Sequence, residues 1–98
     1  MLGGYDMLWK CLDDILELVK TEDFFVNKSP IGYDLPDGKH HLFIYVDDSY
    51  KREVIVIEPN LINADGTHEP CGDNGLCGTD NTDAFIVEVA WVIETQCV

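Results

Sequence analysis

Two runs of β-branched and aromatic residues, His41 to Val46 and Glu53 to Glu58, flank the segment Asp47-Asp48-Ser49-Tyr50-Lys51-Arg52, and they constrain the fold more than any other feature of the chain. Runs of this composition and length around a short polar segment form a β-hairpin. Side chains alternate between the two faces of a strand. Here Leu42, Ile44 and Val46 fall on one face and Phe43 and Tyr45 on the other, while Val54 and Val56 oppose Ile55 and Ile57. Both faces are therefore apolar, and both need cover.

Upstream, Leu8, Leu12, Ile15 and Val19 recur at spacings of four, three and four, with Cys11, Leu16 and Leu18 widening the stripe, so residues 6–20 read as an amphipathic helix. Asp6 is the expected N-cap, and Lys20 suits the negative end of the helix dipole. Asp6–Lys10, Lys10–Asp14 and Glu17–Lys20 are expected ion pairs, each contributing about 0.2–0.5 kcal/mol. A short strand is expected at 24–27, and Ser29-Pro30-Ile31-Gly32 and Leu35-Pro36-Asp37-Gly38 are turn signals. From Ala84 to Cys97 the chain alternates, with Phe85, Val87, Val89, Trp91 and Ile93 on one side, and reads as a further strand. Residues 60–83 lack periodicity and read as a long loop, the kind of segment that is usually functional.

These elements predict an α+β domain spanning residues 1–98: one N-terminal amphipathic helix packed on a three- to four-stranded antiparallel sheet. At 98 residues and 46% apolar content the chain can close one core. A single helix covers only one sheet face. The 60–83 loop, a second copy of the chain or a partner is left to cover the other.

Charge is the functional clue. Beyond Arg52 there is no lysine or arginine, yet that 46-residue stretch carries nine carboxylates, and the whole chain has a formal net charge of −13. A folded surface of one sign projects a field that steers a basic partner into contact. Ten aromatics and several Val/Ile runs separate this chain from disordered acidic tails. Direct binding to nucleic-acid phosphates is disfavoured, since that takes clustered Lys and Arg. The N-terminus has no basic segment leading into an apolar core, and no stretch approaches a membrane span, so a cytoplasmic protein without a membrane partner is expected.

Other chemistries are weaker. His68, Cys71, Asp73 and Cys77 offer zinc donors, but Cys71 and Cys77 are separated by five residues with no second close pair. Asp73, Asn74, Asp80, Asn81 and Asp83 do not follow the order of a calcium loop. A Cys71–Cys77 disulfide would order the segment, but reduced thiols fit a cytosolic compartment better. No nucleophile–base pattern or phosphate-cradling motif is present, so no enzyme activity and no cofactor are expected.

In size, charge and economy of fold the chain resembles the small acidic inhibitors that bacteriophages and mobile elements direct against CRISPR effectors, restriction enzymes or DNA-repair enzymes. The resemblance implies a DNA mimic that occupies the basic groove of a nucleic-acid-binding protein. The expected contact acids are Asp47, Asp48, Glu53, Glu58, Asp65, Glu69, Asp73, Asp80 and Asp83, with Tyr45, Tyr50 and Trp91 as aromatic anchors. The alternatives are an assembly module that forms a homodimer through an apolar sheet face, and a metal-binding protein that uses residues 68–83.

Overall fold

In the computed structural model, which describes residues 4–97, the hairpin forms as expected: β2 (His40–Asp47) pairs antiparallel with β3 (Val54–Ile62), placing Ile44 opposite Ile57 and Val46 opposite Ile55. β1 (Ile31–Asp34) adds to the free edge of β2, with Ile31 opposite Ile44. The nine-residue β3 is long enough to take two short strands end to end on its other edge. β4 (His68–Pro70) pairs with its last three residues and β5 (Gly75–Gly78) with its first four. The α+β class holds, with a five-stranded antiparallel sheet.

α1 (Gly4–Thr21) buries Leu8, Cys11, Leu12, Ile15 and Val19, the stripe expected from its spacing. It begins earlier than expected, so Asp6 lies in the first turn and is not the N-cap. Lys10 pairs with Asp14 at 3.2 Å, whereas Asp6–Lys10 and Glu17–Lys20 do not form. Tyr33 Oη donates to Asp14 Oδ2 at 2.8 Å, tying α1 to β1, and this bond together with Lys10 holds the Asp14 carboxyl below its usual range.

Three element assignments also fail. Residues 24–27 are a one-turn helix, α2 (Phe24–Asn27), held between two residues in the left-handed region, Asp23 at φ 50° and Lys28 at φ 57°. It drives Phe24 fully into the core, where a strand would have turned Phe24 and Phe25 to opposite faces. The 60–83 segment extends the sheet through β4 and β5 and is not a plain loop. The largest departure is at 84–97, which forms the helix α3 (Thr82–Gln96) and not a strand. Asn81 caps it, its Oδ1 accepting from the Ala84 N–H at 3.0 Å, and Asp83 places negative charge in the first turn. Phe85, Val89, Val92 and Ile93 then share one helical stripe and are all buried.

Both long helices pack on the same sheet face. One core joins Leu42, Ile44, Ile55, Ile57 and Cys77 of the sheet to the apolar stripes of α1 and α3. α3 lies so close to β5 that a Cβ on Gly75 would stand 2.8 Å from Val92 Cγ2, which explains a glycine there. The added C-terminal helix thus reinforces the face that α1 already covers. Among the described residues the second face carries no helix, and none of the helices is long and apolar enough to cross a membrane.

Candidate functional site

Residues directly opposed across an antiparallel pair point to the same face. The register therefore specifies what the open face presents. One row across it holds Asp34, His41, Asn60 and Pro70; the next Gly32, Phe43 and Glu58; then Tyr45, Val56 and Leu76; then Asp47, Val54 and Gly78. Val54 and Val56 are buried even here, opposite Asp47 and Tyr45, whereas Leu76 is 44% exposed. Three carboxylates, Asp34, Asp47 and Glu58, stand on this face. No strand of the sheet contains a lysine or an arginine.

The polar groups are held in place. Hydrogen bonds from Ser49 fix the Asp47 carboxyl at the hairpin turn and keep it below its usual range. Glu58 Oε2 accepts from Asn60 Nδ2 at 3.1 Å, within one strand. Between them sits Tyr45, whose hydroxyl is pushed up by burial and further by the charges of Glu58 and Asp47. A tyrosine flanked by two carboxylates at a half-buried position is suited to receive a cationic side chain on its ring while the acids accept its protons.

A second cluster lies toward the other end of the face. Asp34 Oδ1 stands 2.5 Å from His41 Nδ1, and the His41 ring stacks on His68 with centroids 4.1 Å apart and planes 13° from parallel. Phe43 meets both imidazoles edge-on. β2 and β4 are separated by β3, so the two histidines lean toward each other above Asn60, which is 1% exposed. His41 Nε2 is buried without a hydrogen-bond partner. Gly32 makes room for the ring: a Cβ there would lie 2.9 Å from both Cε1 and Nε2.

The other residues singled out from the sequence scatter. Asp48 and Tyr50 are exposed in the hairpin turn beside Lys51 and Arg52, so that tip is mixed in sign. Glu53 is not without a basic partner: Lys28 Nζ approaches its Oε2 to 2.6 Å. Asp65 is spent locally, accepting from the N–H and hydroxyl of Thr67. Glu69 opposes Leu61 and so points away from the open face. Asp73 lies beside the C-terminal end of α3, where its N–H donates to Gln96 Oε1. Asp80 and Asp83 stand at the N-terminal end of α3. Trp91 lies on α3, in the layer behind the sheet, so it cannot share one flat interface with Tyr45. Of the expected set, the open face brings together Asp47, Glu58 and Tyr45.

The donor set expected from 68–83 does not converge. Cys77 is buried on the core face of β5 while His68 stands on the open face. All four cysteines are free. Burial pushes the Cys77 thiol up to about 11 and the Cys97 thiol up to about 12, so both are neutral and unreactive at ordinary pH. The residues that sequence reasoning passed over are Asp34, His41 and Phe43. The signal was the Leu35-Pro36-Asp37-Gly38 turn, which pairs β1 with β2 and sets Asp34 opposite His41. In comparisons with known proteins, the chain matches no family, no curated protein and no solved structure.

Proposed function

We propose that this protein is a non-enzymatic inhibitor that binds the basic groove of a nucleic-acid-handling protein through its open sheet face and so excludes the nucleic acid. A CRISPR effector is the preferred target, with a restriction or repair enzyme next. One observation carries the reading: Asp34, Asp47 and Glu58 share a face with Phe43 and Tyr45, and no strand of the sheet contains a lysine or an arginine. Carboxylates spaced along strands can replace phosphates against Arg and Lys, and the half-buried aromatics supply anchor area. The same charges argue against self-association through this face. A two-fold dimer would set three carboxylates of one copy against three of the other.

The test is affinity capture from lysate at low and at moderate salt, followed by competition with nucleic acid. One nucleic-acid-binding protein, retained at low salt, weakened by salt and displaced by nucleic acid, is the expected result. Capture of the chain's own copies alone would overturn the proposal.

A further inference from the structure

We propose that Asp34, His41 and His68 form a binding site for a divalent transition-metal cation, zinc foremost, on the open face of the sheet. The three residues come from β1, β2 and β4, and each offers a donor atom, all lying within 4.8 Å of one another. Two imidazoles, one of them backed by a carboxylate, suit a borderline ion such as Zn²⁺, and two protein donors leave the remaining positions for water or an outside ligand. This site shares Asp34 and the open face with the partner reading but does not rest on it. It uses His68, which the sequence had grouped with Cys71 and Cys77, but with residues from two other strands.

His41 turns proximity into a site. It is 8% exposed, and Asp34 accepts from its Nδ1–H; in the neutral imidazole that bond leaves the lone pair on Nε2. That Nε2 is shielded from solvent and has no partner. A buried acceptor with no donor is a standing cost, and a cation at Nε2 removes it while Asp34 keeps the Nδ1 proton. A carboxylate behind a histidine is the usual way such a ligand is oriented and its basicity raised. Asp34, with a side chain 70% accessible, thus acts on the far side of the ring as the orienting group and not as a ligand.

The stack of His68 on His41 is the closed form of this site. A nitrogen lone pair lies in the plane of its ring, so two nearly parallel rings cannot both aim at one ion. Binding requires one ring to turn. His41 is held by Asp34, Phe43 and the close backbone of Gly32, whereas His68 is exposed on a three-residue edge strand. Turning His68 uncovers Nε2 of His41 and directs its own nitrogen to the same point.

The experiment is calorimetric titration of the reduced, chelator-stripped full chain with Zn²⁺, with the imidazole nitrogens of His41 and His68 followed by NMR. One zinc per chain is expected, with a shift of His41 Nε2 and loss of the mutual ring-current shifts as the stack opens. His68→Ala, at an exposed position, should keep the fold by circular dichroism and weaken binding by about tenfold or more, and Asp34→Asn by about tenfold. Cys71→Ser should leave binding unchanged. No uptake by the folded wild type, equal uptake by wild type and His68→Ala, or loss of uptake in Cys71→Ser would each overturn the proposal.

Discussion

Replacing Gly32 with alanine sets two effects of opposite sign against each other, and the structure says which wins. Gly32 has an ordinary strand backbone without positive φ, so alanine there is not strained and should gain about 0.5–1 kcal/mol over glycine in a strand interior. Against this, the new Cβ would stand 2.9 Å from Cε1 and Nε2 of His41. That ring is not the loose end of a flexible chain: Asp34 holds its Nδ1 and His68 and Phe43 pack on it. Forcing extra volume against a packed group costs about 1–3 kcal/mol. The net expectation for Gly32→Ala is a loss of about 0.5–2 kcal/mol, by the same two principles. In a His41→Ala background the obstacle is gone, and Gly32→Ala should stabilise by about 0.5–1 kcal/mol. Urea denaturation of the four proteins, with a common m value, reads this reversal of sign directly. Stabilisation by Gly32→Ala in both backgrounds would refute the reasoning, because it would mean that His41 moves aside freely.

Two further predictions concern α3 and the buried thiols. Asn81→Ala removes the one side-chain cap of α3 and should lower stability by about 1 kcal/mol in urea, while Asn81→Asp retains it; no loss would contradict the cap. For Cys77 and Cys97 the folded thiols ionise near 11 and 12 against about 9 unfolded, so the fold favours the protonated form. Stability is then complete below about pH 9 and falls as pH rises toward 11, at about 1.4 kcal/mol per pH unit for each thiol. Urea midpoints at pH 8, 9 and 10 for the wild type and for Cys97→Ala, whose decline should be shallower, check this; identical slopes would contradict it.

Legibility in the sequence followed how many elements a pattern had to involve. α1 and the β2–β3 hairpin each rest on one local period, and both formed where that period placed them. At 84–97 two periods coincide: Phe85, Val89 and Ile93 satisfy an alternating pattern and a helical one alike, and the β-branched and aromatic content favoured the strand. The deciding cues were Asn81 at the cap, Asp83 in the first turn and fifteen residues without Gly or Pro, too long for an ordinary strand. β4 and β5 carry Pro and Gly and exist because β3 offers them an edge, a cause that lies outside their own residues. The same holds for the open face. Asp47, Glu58 and Tyr45 follow from the hairpin alone, whereas the Asp34–His41–His68 cluster needs three strand pairings before it is visible.

The central claim is that one acidic face, and not the total charge, selects the partner. The most direct measurement compares capture of the same target by two equally recharged variants. One carries lysine at Asp34, Asp47 and Glu58 on the open face, and the other carries lysine at Asp13, Glu17 and Asp6 on the exposed side of α1. With both shown to be folded, loss of capture only in the open-face variant is the predicted result. Equal loss in both, or loss only in the α1 variant, would contradict the account.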